Sequence, residues 1–550
     1  EYYGLTPLKD LTAVEKMAKD GVVDPKPVVL NEFPVGNEAR EKYEGMLVDI
    51  KAPMTITNNY LQNNTSKNKT IFTARWGELG LTPGDKPLRQ PSDLYNPAKN
   101  PTEIAALNED NESKLINLDD GISFDLVNFK YANHRIPVAY LDVKNPARAG
   151  AQVNFLQPMI IDYRDNTWKI QPTEPVNVEG AEDSFKDNSV NWVSFSNNER
   201  PSAPENLGDV SLATFNVLNY FITTGDQLNC KGYQDRAGNL ITANGCDARG
   251  AADAVNLKRQ QDKIVTAINQ LDASVVGLEE IENSKKFNKD RDAALDTLVA
   301  ELNKGAGTDK WAAVKSPEQV PASEDAIRLA FIYQPAKVEP VGASKILIGS
   351  ADFTGKAREP LAQEFQALDA NGKTSGKSFV AVANHFKSKG SLSDKSDTDV
   401  YQGNNNKLRV KQAQALLAWV EKEFAGKPIF LLGDFNAYSA EDPILAMADK
   451  GYTDLAPKFA PEKQTYQFSA YQGSLDHVLA NQMALDLVVG GDIWDINADE
   501  PLAFEYSRYN YNVKYKELYD TTAFRSSDHD PIKISLKVLE NVEPEAPVTP

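Results

Sequence analysis

Cysteine and histidine are scarce in this chain, with two Cys and four His among 550 residues. Two Cys without nearby His partners do not make a structural zinc site, which needs four such ligands. Long apolar runs are also missing, and no stretch approaches the roughly 20 residues that a membrane-spanning helix requires. The opening EYYGLTPLKD lacks the basic and apolar signature of a signal peptide, leaving open a leader already cleaved. No internal repeat of fixed period is present. Cations are outnumbered, 59 Lys and Arg against 78 Asp and Glu, for a net charge of −19. Nucleic-acid affinity is largely cations meeting phosphates, so this balance argues against tight electrostatic binding. It leaves room for local basic clustering around a cleft, with the excess acid serving solubility. Salt also shortens the reach of the acid, to about 10 Å at 0.1 M.

What is present is a set of polar residues at the ends of strand-like runs. GDFNA (433 to 437) follows the apolar run KPIFLL, and SSDHDP (526 to 531) leads into the alternating IKISLKV. Together they offer Asp434, Asn436, Asp528 and His529. Phosphodiester cleavage needs a hard cation held by carboxylates, a carboxylate to orient or deprotonate water, and donors for the developing oxyanion. Either motif alone is also an ordinary turn, since Gly, Asp and Asn favour turns for backbone reasons. Four further segments repeat the pattern in order: TFNVLNYF (214 to 221), VVGLEEIEN (275 to 283), VANHFKSKG (382 to 390) and SLDHVLAN (474 to 481).

In this ordered set the chain resembles the endonuclease/exonuclease/phosphatase superfamily, the fold of pancreatic deoxyribonuclease, over roughly residues 206 to 540. It is most similar to secreted bacterial nucleases that carry an oligonucleotide-binding-like (OB-like) domain ahead of the catalytic one. The resemblance implies an α/β four-layer sandwich and assigns roles by position. Asn216, Glu280 and Asp528 match the metal-side residues, with Mg²⁺ or Mn²⁺ expected there and Ca²⁺ at separate loop sites. Relatives often carry Gln just before the metal-binding glutamate, where this chain has Glu279; strand alternation should turn only one of the pair inward. Glu282 is a weaker candidate on the same face. His385 matches the histidine that assists proton transfer or holds the phosphate, and Asp434 the base that orients water. Asn436 matches a phosphate or metal-water contact. Asp476 matches the partner of the final histidine or a metal ligand, and His529 the acid or oxyanion donor.

Structural readings stand beside these. Three of the four His lie inside motifs, but alternation points His477 away from the site, toward packing, and Asp530 reads as a turn cap before Pro531. Arg358, in AREPLAQEF, matches the family arginine that grips backbone phosphate, and Lys387 and Lys389 follow His385. Lys407 and Arg409 open a helical stretch whose solvated face explains Lys407 equally well. One departure stands out: the pancreatic-type partner of His385 is a glutamate where this chain has Ile327. Glu324 or Asp325 upstream is the alternative.

Residues 1–34 read as an extension, 35–200 as the OB-like β domain, 201–208 as a linker, 209–540 as the catalytic domain and 541–550 as a flexible tail. The all-β reading rests on alternating segments within 43–61, 70–79, 136–144 and 152–173. YEGMLV and WKIQPT carry the OB likeness, and Tyr60, Phe72, Arg75 and Trp76 are candidate nucleic-acid contacts, with barrel core the competing role. Cys230 and Cys246 lie in a polar loop and read as one disulfide, contributing about 3 kcal/mol in the chain-entropy model. That implies an oxidising location, periplasmic or extracellular; two free thiols are the alternative.

The resulting expectation is a secreted, monomeric, divalent-metal-dependent nuclease acting on DNA, with RNA as a second substrate. It would cut internally and with little sequence specificity. A phospholipid or inositol-phosphate phosphodiesterase on the same fold is the competing enzyme class, and a DNA-binding matrix protein the noncatalytic one.

Overall fold

The computed structural model describes residues 25–59, 77–121, 139–164, 166–174, 192–234, 238–507 and 518–539. Its N-terminal part is built on nine strands: β1 (Val28–Leu30), β2 (Leu47–Ile50), β3 (Met54–Asn58), β4 (Leu79–Pro83), β5 (Ile116–Leu118), β6 (Gln152–Phe155), β7 (Met159–Arg164), β8 (Thr167–Pro172) and β9 (Val193–Ser196). They form one sheet in the order β1-β2-β7-β8-β5-β4-β3-β6-β9, with β1·β2 and β5·β8 parallel. Val48, Ile56, Leu81, Ile116, Ile161 and Ile170 fill its core.

This part is not all-β. A 14-residue helix, Pro101–Lys114, separates β4 from β5. Proline at its first position and a run of Glu, Ala, Leu and Lys favour the helix. Only Ile104 and Asn111 are buried in it, so no apolar stripe marks it in the sequence.

The C-terminal part holds two six-stranded sheets. The first contains β10 (Val210–Tyr220), β11 (Val275–Glu282), β12 (Ala312–Ala313), β13 (Ile327–Tyr333), β22 (Val488–Ile493) and β23 (Ile532–Leu536), in the order β12-β13-β11-β10-β23-β22. The second contains β14 (Val338–Ile346), β15 (Arg358–Ala367), β16 (Phe379–His385), β17 (Ile429–Asp434), β18 (Thr453–Asp454) and β21 (Asp476–Ala480), in the order β14-β15-β16-β17-β21-β18. A small hairpin pairs β19 (Tyr466–Phe468) with β20 (Tyr471–Gly473).

Alternation along the strands builds the layers. Leu212 and Phe331 of the first sheet meet Phe365, Phe379, Phe430 and Leu432 of the second. The opposite face of the first sheet, through Phe215, Val217 and Leu278, packs on the helices Ala254–Leu271 and Ala293–Ala306. Val380, Val382 and Leu431 of the second pack on the helix Asn406–Phe424. The result is an α/β sandwich of helices, sheet, sheet and helices. Both faces of each sheet are covered, which is why the central strands read as continuous apolar runs. The strands expected at 209–218, 274–281, 326–334, 377–385, 428–433, 474–480 and 532–538 recur, whereas the expected segment 136–144 is turn and loop over its described residues 139–144; β14 and β22 were not expected, because as edge strands they carry exposed or Gly-rich residues.

The two parts are stitched together. Gln90 N donates to Gln472 O at 2.8 Å, Gln472 N donates to Leu88 O at 2.9 Å, and Thr57 Oγ1 donates to Ala470 O at 2.6 Å. Arg148 pairs with Glu500 at 2.8 Å. Within the expected linker, Pro201 O accepts from Trp494 Nε1 and Pro204 O from Lys533 Nζ, so these residues lie on the catalytic half.

Candidate active site

Pairing registers bring the motif residues to one end of both sheets. β10 and β11 run parallel with Asn216 opposite Glu279, and β16 and β17 run parallel with His385 opposite Asp434. Antiparallel partners add Asp476 opposite Asp434 and Arg358 opposite His385. Asp528 and His529 arrive on the segment leading into β23, which lies against β10. Polar groups thus converge where strands end and the backbone is free to meet a ligand.

Three backbone devices aim them. At Gly433 (φ 128°) a Cβ would lie 2.1 Å from Asn384 O, so only glycine lets β16 and β17 approach just before Asp434. Asn436 (φ 49°) turns the chain so that its N–H donates to Asp434 Oδ1 at 2.8 Å and its amide to Phe386 O at 3.2 Å. Glu280 (φ 64°) sits in an irregularity where both neighbouring pairings shift register. Alternation is broken there, and the expectation that only one glutamate turns inward does not hold. Glu279 is wholly buried, accepts from Thr214 Oγ1 at 2.8 Å and feels the charges of Asp476 and Asp434, while Glu280 feels Asp528, His529 and Arg358. Glu282 accepts from Thr223 N and Ser284 Oγ, both at 2.6 Å, and pins two loops instead of facing the cleft.

Burial pushes Asp434 up to about 7, with His529 opposing and Asp476 reinforcing the shift. Its Oδ2 lies 3.4 Å from His385 Nε2 and 3.5 Å from Asn216 Nδ2. Burial, then Arg358 and His529, hold His385 well below its ordinary value, so it is neutral at pH 7. Neither Glu324 nor Asp325 partners it: Glu324 binds Arg291 at 2.6 Å and Asp325 binds Arg249 at 2.5 Å. Its nearest carboxylates are Asp434 and Glu280, the latter at 4.0 Å. Burial alone would also lower His529, but Asp476, with Nδ1 to Oδ2 at 2.7 Å, and Asp528 outweigh it and keep the ring protonated. Tyr466 covers that ring at 4.7 Å between centroids.

The cations divide. Arg358 lies beside Glu280 and donates to Phe386 O, and Lys387 is near enough to Arg358 for that charge, after burial, to lower it. Lys389 is committed to Glu441 and Gln402 O, and Arg409 to the carbonyls of Lys387, Asn404 and Gln402, so neither is a phosphate grip. Lys407 is exposed on the helix. His477 binds Asp454 at 2.7 Å and Ala437 O at 2.8 Å, facing away from the cleft, and Asp530 accepts three backbone N–H bonds from Ile496, Asn497 and Ala498. Tyr60, Phe72, Arg75 and Trp76 lie outside the described residues.

Two residue groups compete as a cation site. Asp434, Asp476 and His529 bring ligand atoms within 4.8 Å of one another. Nδ1 of His529 is already engaged by Asp476, however, making a histidine–carboxylate pair beside a second carboxylate. Glu280, Asp528 and Asn216 suit a cation better. After burial, the Asp528 charge is what raises Glu280, and Glu280 Oε2 is buried without a hydrogen-bond partner. A divalent cation among these hard oxygen donors relieves both conditions.

One contributor comes from the other half of the molecule. Asp93, in the short helix Pro91–Leu94, accepts from Ser439 Oγ at 2.8 Å, Ser439 N at 3.2 Å and Ser474 N at 3.2 Å, while Arg89 holds its second oxygen. It ties the loop after Asn436 to the start of the Asp476 strand. Nothing in the local sequence marks this role, because the two loops it ties lie more than 340 positions away.

No curated protein matches this chain significantly. Solved structures align with about 60% of it. An endonuclease/exonuclease/phosphatase from Bacteroides vulgatus is 16% identical, covering 60% of this chain and 98% of that one, with a TM-score of 0.34. A mannosyl-6-phosphatase from Bacteroides thetaiotaomicron is 14% identical over 60% and 99%, with a TM-score of 0.35. D. rerio TDP2 complexed with single-strand DNA product is 12% identical over 59% and 97%, with a TM-score of 0.34. The endonuclease/exonuclease/phosphatase family model matches residues 213–529, more than half of the 550, and spans every motif residue from Asn216 to His529. The chain therefore belongs to the endonuclease/exonuclease/phosphatase family, whose members are phosphoester hydrolases.

Proposed function

We propose that this protein is a secreted, divalent-metal-dependent nuclease that hydrolyses phosphodiester bonds of DNA, and of RNA as a second substrate, internally and with low sequence specificity. The observation that carries this reading is the gathering of Asp434, Asp476 and His529 with ligand atoms within 4.8 Å of one another, where Asp476 holds His529 protonated and burial pushes Asp434 up to about 7. Family enzymes generally use divalent metals. Glu280 with Asp528 and Asn216 would hold Mg²⁺ or Mn²⁺, which when bound withdraws charge from the phosphate. Asp434 then orients the attacking water and takes its proton, and Asn436 fixes that carboxylate through two bonds. His529 donates to the developing oxyanion or the leaving oxygen. Arg358 and Lys387 grip non-bridging oxygens, and neutral His385 accepts or donates one hydrogen bond without adding charge.

The disulfide between Cys230 and Cys246 supports an oxidising location outside the cytoplasm. The N-terminal part is read as OB-like. β2 and β3 are two pieces of one run, and β7, β8, β5 and β4 lead from the first piece to the second, with β5·β8 parallel. The protein is taken as a monomer.

Closed circular plasmid DNA incubated with the protein tests the proposal. Nicking and linearisation with Mg²⁺ or Mn²⁺, abolished by EDTA, are expected. No cleavage with any divalent cation would overturn it.

A further inference from the structure

The cleft has a neighbour that the catalytic groups do not use. A cavity of about 550 Å³ opens beyond the ends of β10 and β11, lined by Thr223, Gln227, Cys246, Lys286, Phe287 and Lys289 among others. Thr223 follows β10 by three residues and Lys286 follows β11 by four, so its walls continue the strands that carry Asn216 and Glu280. Glu282 fixes the two walls to one another through Thr223 N and Ser284 Oγ. Lys289 Nζ donates to Thr223 Oγ1 at 2.8 Å across the gap. Phe287 is half-buried and meets Phe221 edge-on at 6.0 Å. The third wall is the Cys230–Cys246 disulfide, with Asp247 beside it.

Charge is clustered at this cavity, where Lys286 and Lys289 line the wall and Lys285 directly precedes them. Among the described residues, Lys285, Lys286 and Lys289 have no carboxylate within ion-pair distance. Near the catalytic centre stands Arg249, three residues past the cavity-lining Cys246. It is bound to Asp325 at 2.5 and 3.2 Å and is close enough to Arg358, Lys387 and His385 to affect the titration of each. Asp325 is shared with Arg358 at 3.9 Å, so two guanidinium groups stand around one carboxylate at the rim.

We propose that this cavity is a nucleotide subsite. It takes the sugar and base next to the scissile phosphate, with Lys286 on the following phosphate, Phe287 against the base and Arg249 on the backbone between the subsite and the catalytic centre. The volume suits one nucleotide unit, within the roughly 300–1,000 Å³ of ordinary ligand sites. Cation and aromatic together are the elements that hold single-stranded backbone and bases without sequence preference. The disulfide thereby becomes a wall of the substrate path. This inference rests on the phosphodiesterase reading and adds where the polymer runs.

The test compares steady-state hydrolysis of an eight-nucleotide single-stranded DNA and of a dinucleotide by wild type, Lys286→Glu and Arg249→Gln, with melting temperatures recorded for each. The ratio of kcat/KM for octanucleotide over dinucleotide is expected to fall about tenfold in Lys286→Glu, through KM, as loss of one phosphate contact dictates. Arg249→Gln should lower both values, since it lies nearer the centre. An unchanged ratio in Lys286→Glu, with wild type active on both substrates, overturns the subsite alone. Wild type inactive on both overturns the phosphodiesterase reading instead. As an independent readout, anisotropy of fluorescein-labelled octanucleotide on a His529→Ala background should show weaker binding when Lys286→Glu is added. Equal binding overturns the subsite.

Discussion

His385 and His529 face the same cleft from different sheets, at 4% and 6% exposure, and titrate in opposite directions. Equal burial penalises the charged form of both. The neighbours decide the outcome: His385 stands beside Arg358, whereas His529 is held by Asp476 and flanked by Asp528. His385 therefore offers a neutral imidazole with Arg358 beside it and Asp434 Oδ2 at 3.4 Å, and His529 an imidazolium held by carboxylates. A phosphodiester placed between them meets a group that leaves charge unchanged on one side and a proton donor on the other. His477, off the cleft, is raised to about 9 against its burial by Asp454, with Ala437 O and Asp93 adding to it, without being catalytic.

The contrast can be broken at its strongest point first. His529→Ala or Asp434→Ala should lower turnover by about 10²–10⁴-fold with melting temperature retained, since each removes an acid or base acting on the reacting atoms. Plasmid-cleavage rates with circular dichroism check this. Full activity in both variants would sink the assignment. Asp476→Asn should have the next largest effect. Its charge is what lifts His529, so its loss lowers that value, and the alkaline limb of the kcat/KM profile moves to lower pH. A limb that does not move would mean that His529 is not the acid.

The His477–Asp454 pair supplies the off-site control, with no expected change in rate. Its folded value lies above the unfolded 6.5, so its contribution is complete below about 6.5 and is lost as pH rises through about 9. Asp454→Asn should therefore lower the melting temperature at pH 6 more than at pH 9.5, by a few degrees. Equal losses at both pH values would remove the pair's titration from the account.

The strand-end motifs and most catalytic strands were legible because buried parallel strands announce themselves as apolar runs and their ends carry the polar residues. Glu280 was legible as a residue but not in its geometry, since a left-handed non-glycine has no sequence signature. Lys389 and Arg409 misled because a cation near a motif reads the same whether it meets phosphate or, as here, Glu441 and main-chain carbonyls. Asp93 and the helix Pro101–Lys114 stayed hidden for opposite reasons. The first ties loops that are distant in sequence, and the second lacks an apolar stripe.

The measurement that goes most directly to the two-histidine account is the pH titration of the histidine ring resonances by NMR in metal-free protein, practicable with only four histidines. His385→Gln and His529→Gln would assign the signals. The account predicts that His385 titrates well below the ordinary 6.5 and His529 well above it. Both rings titrating together near 6.5 would contradict it.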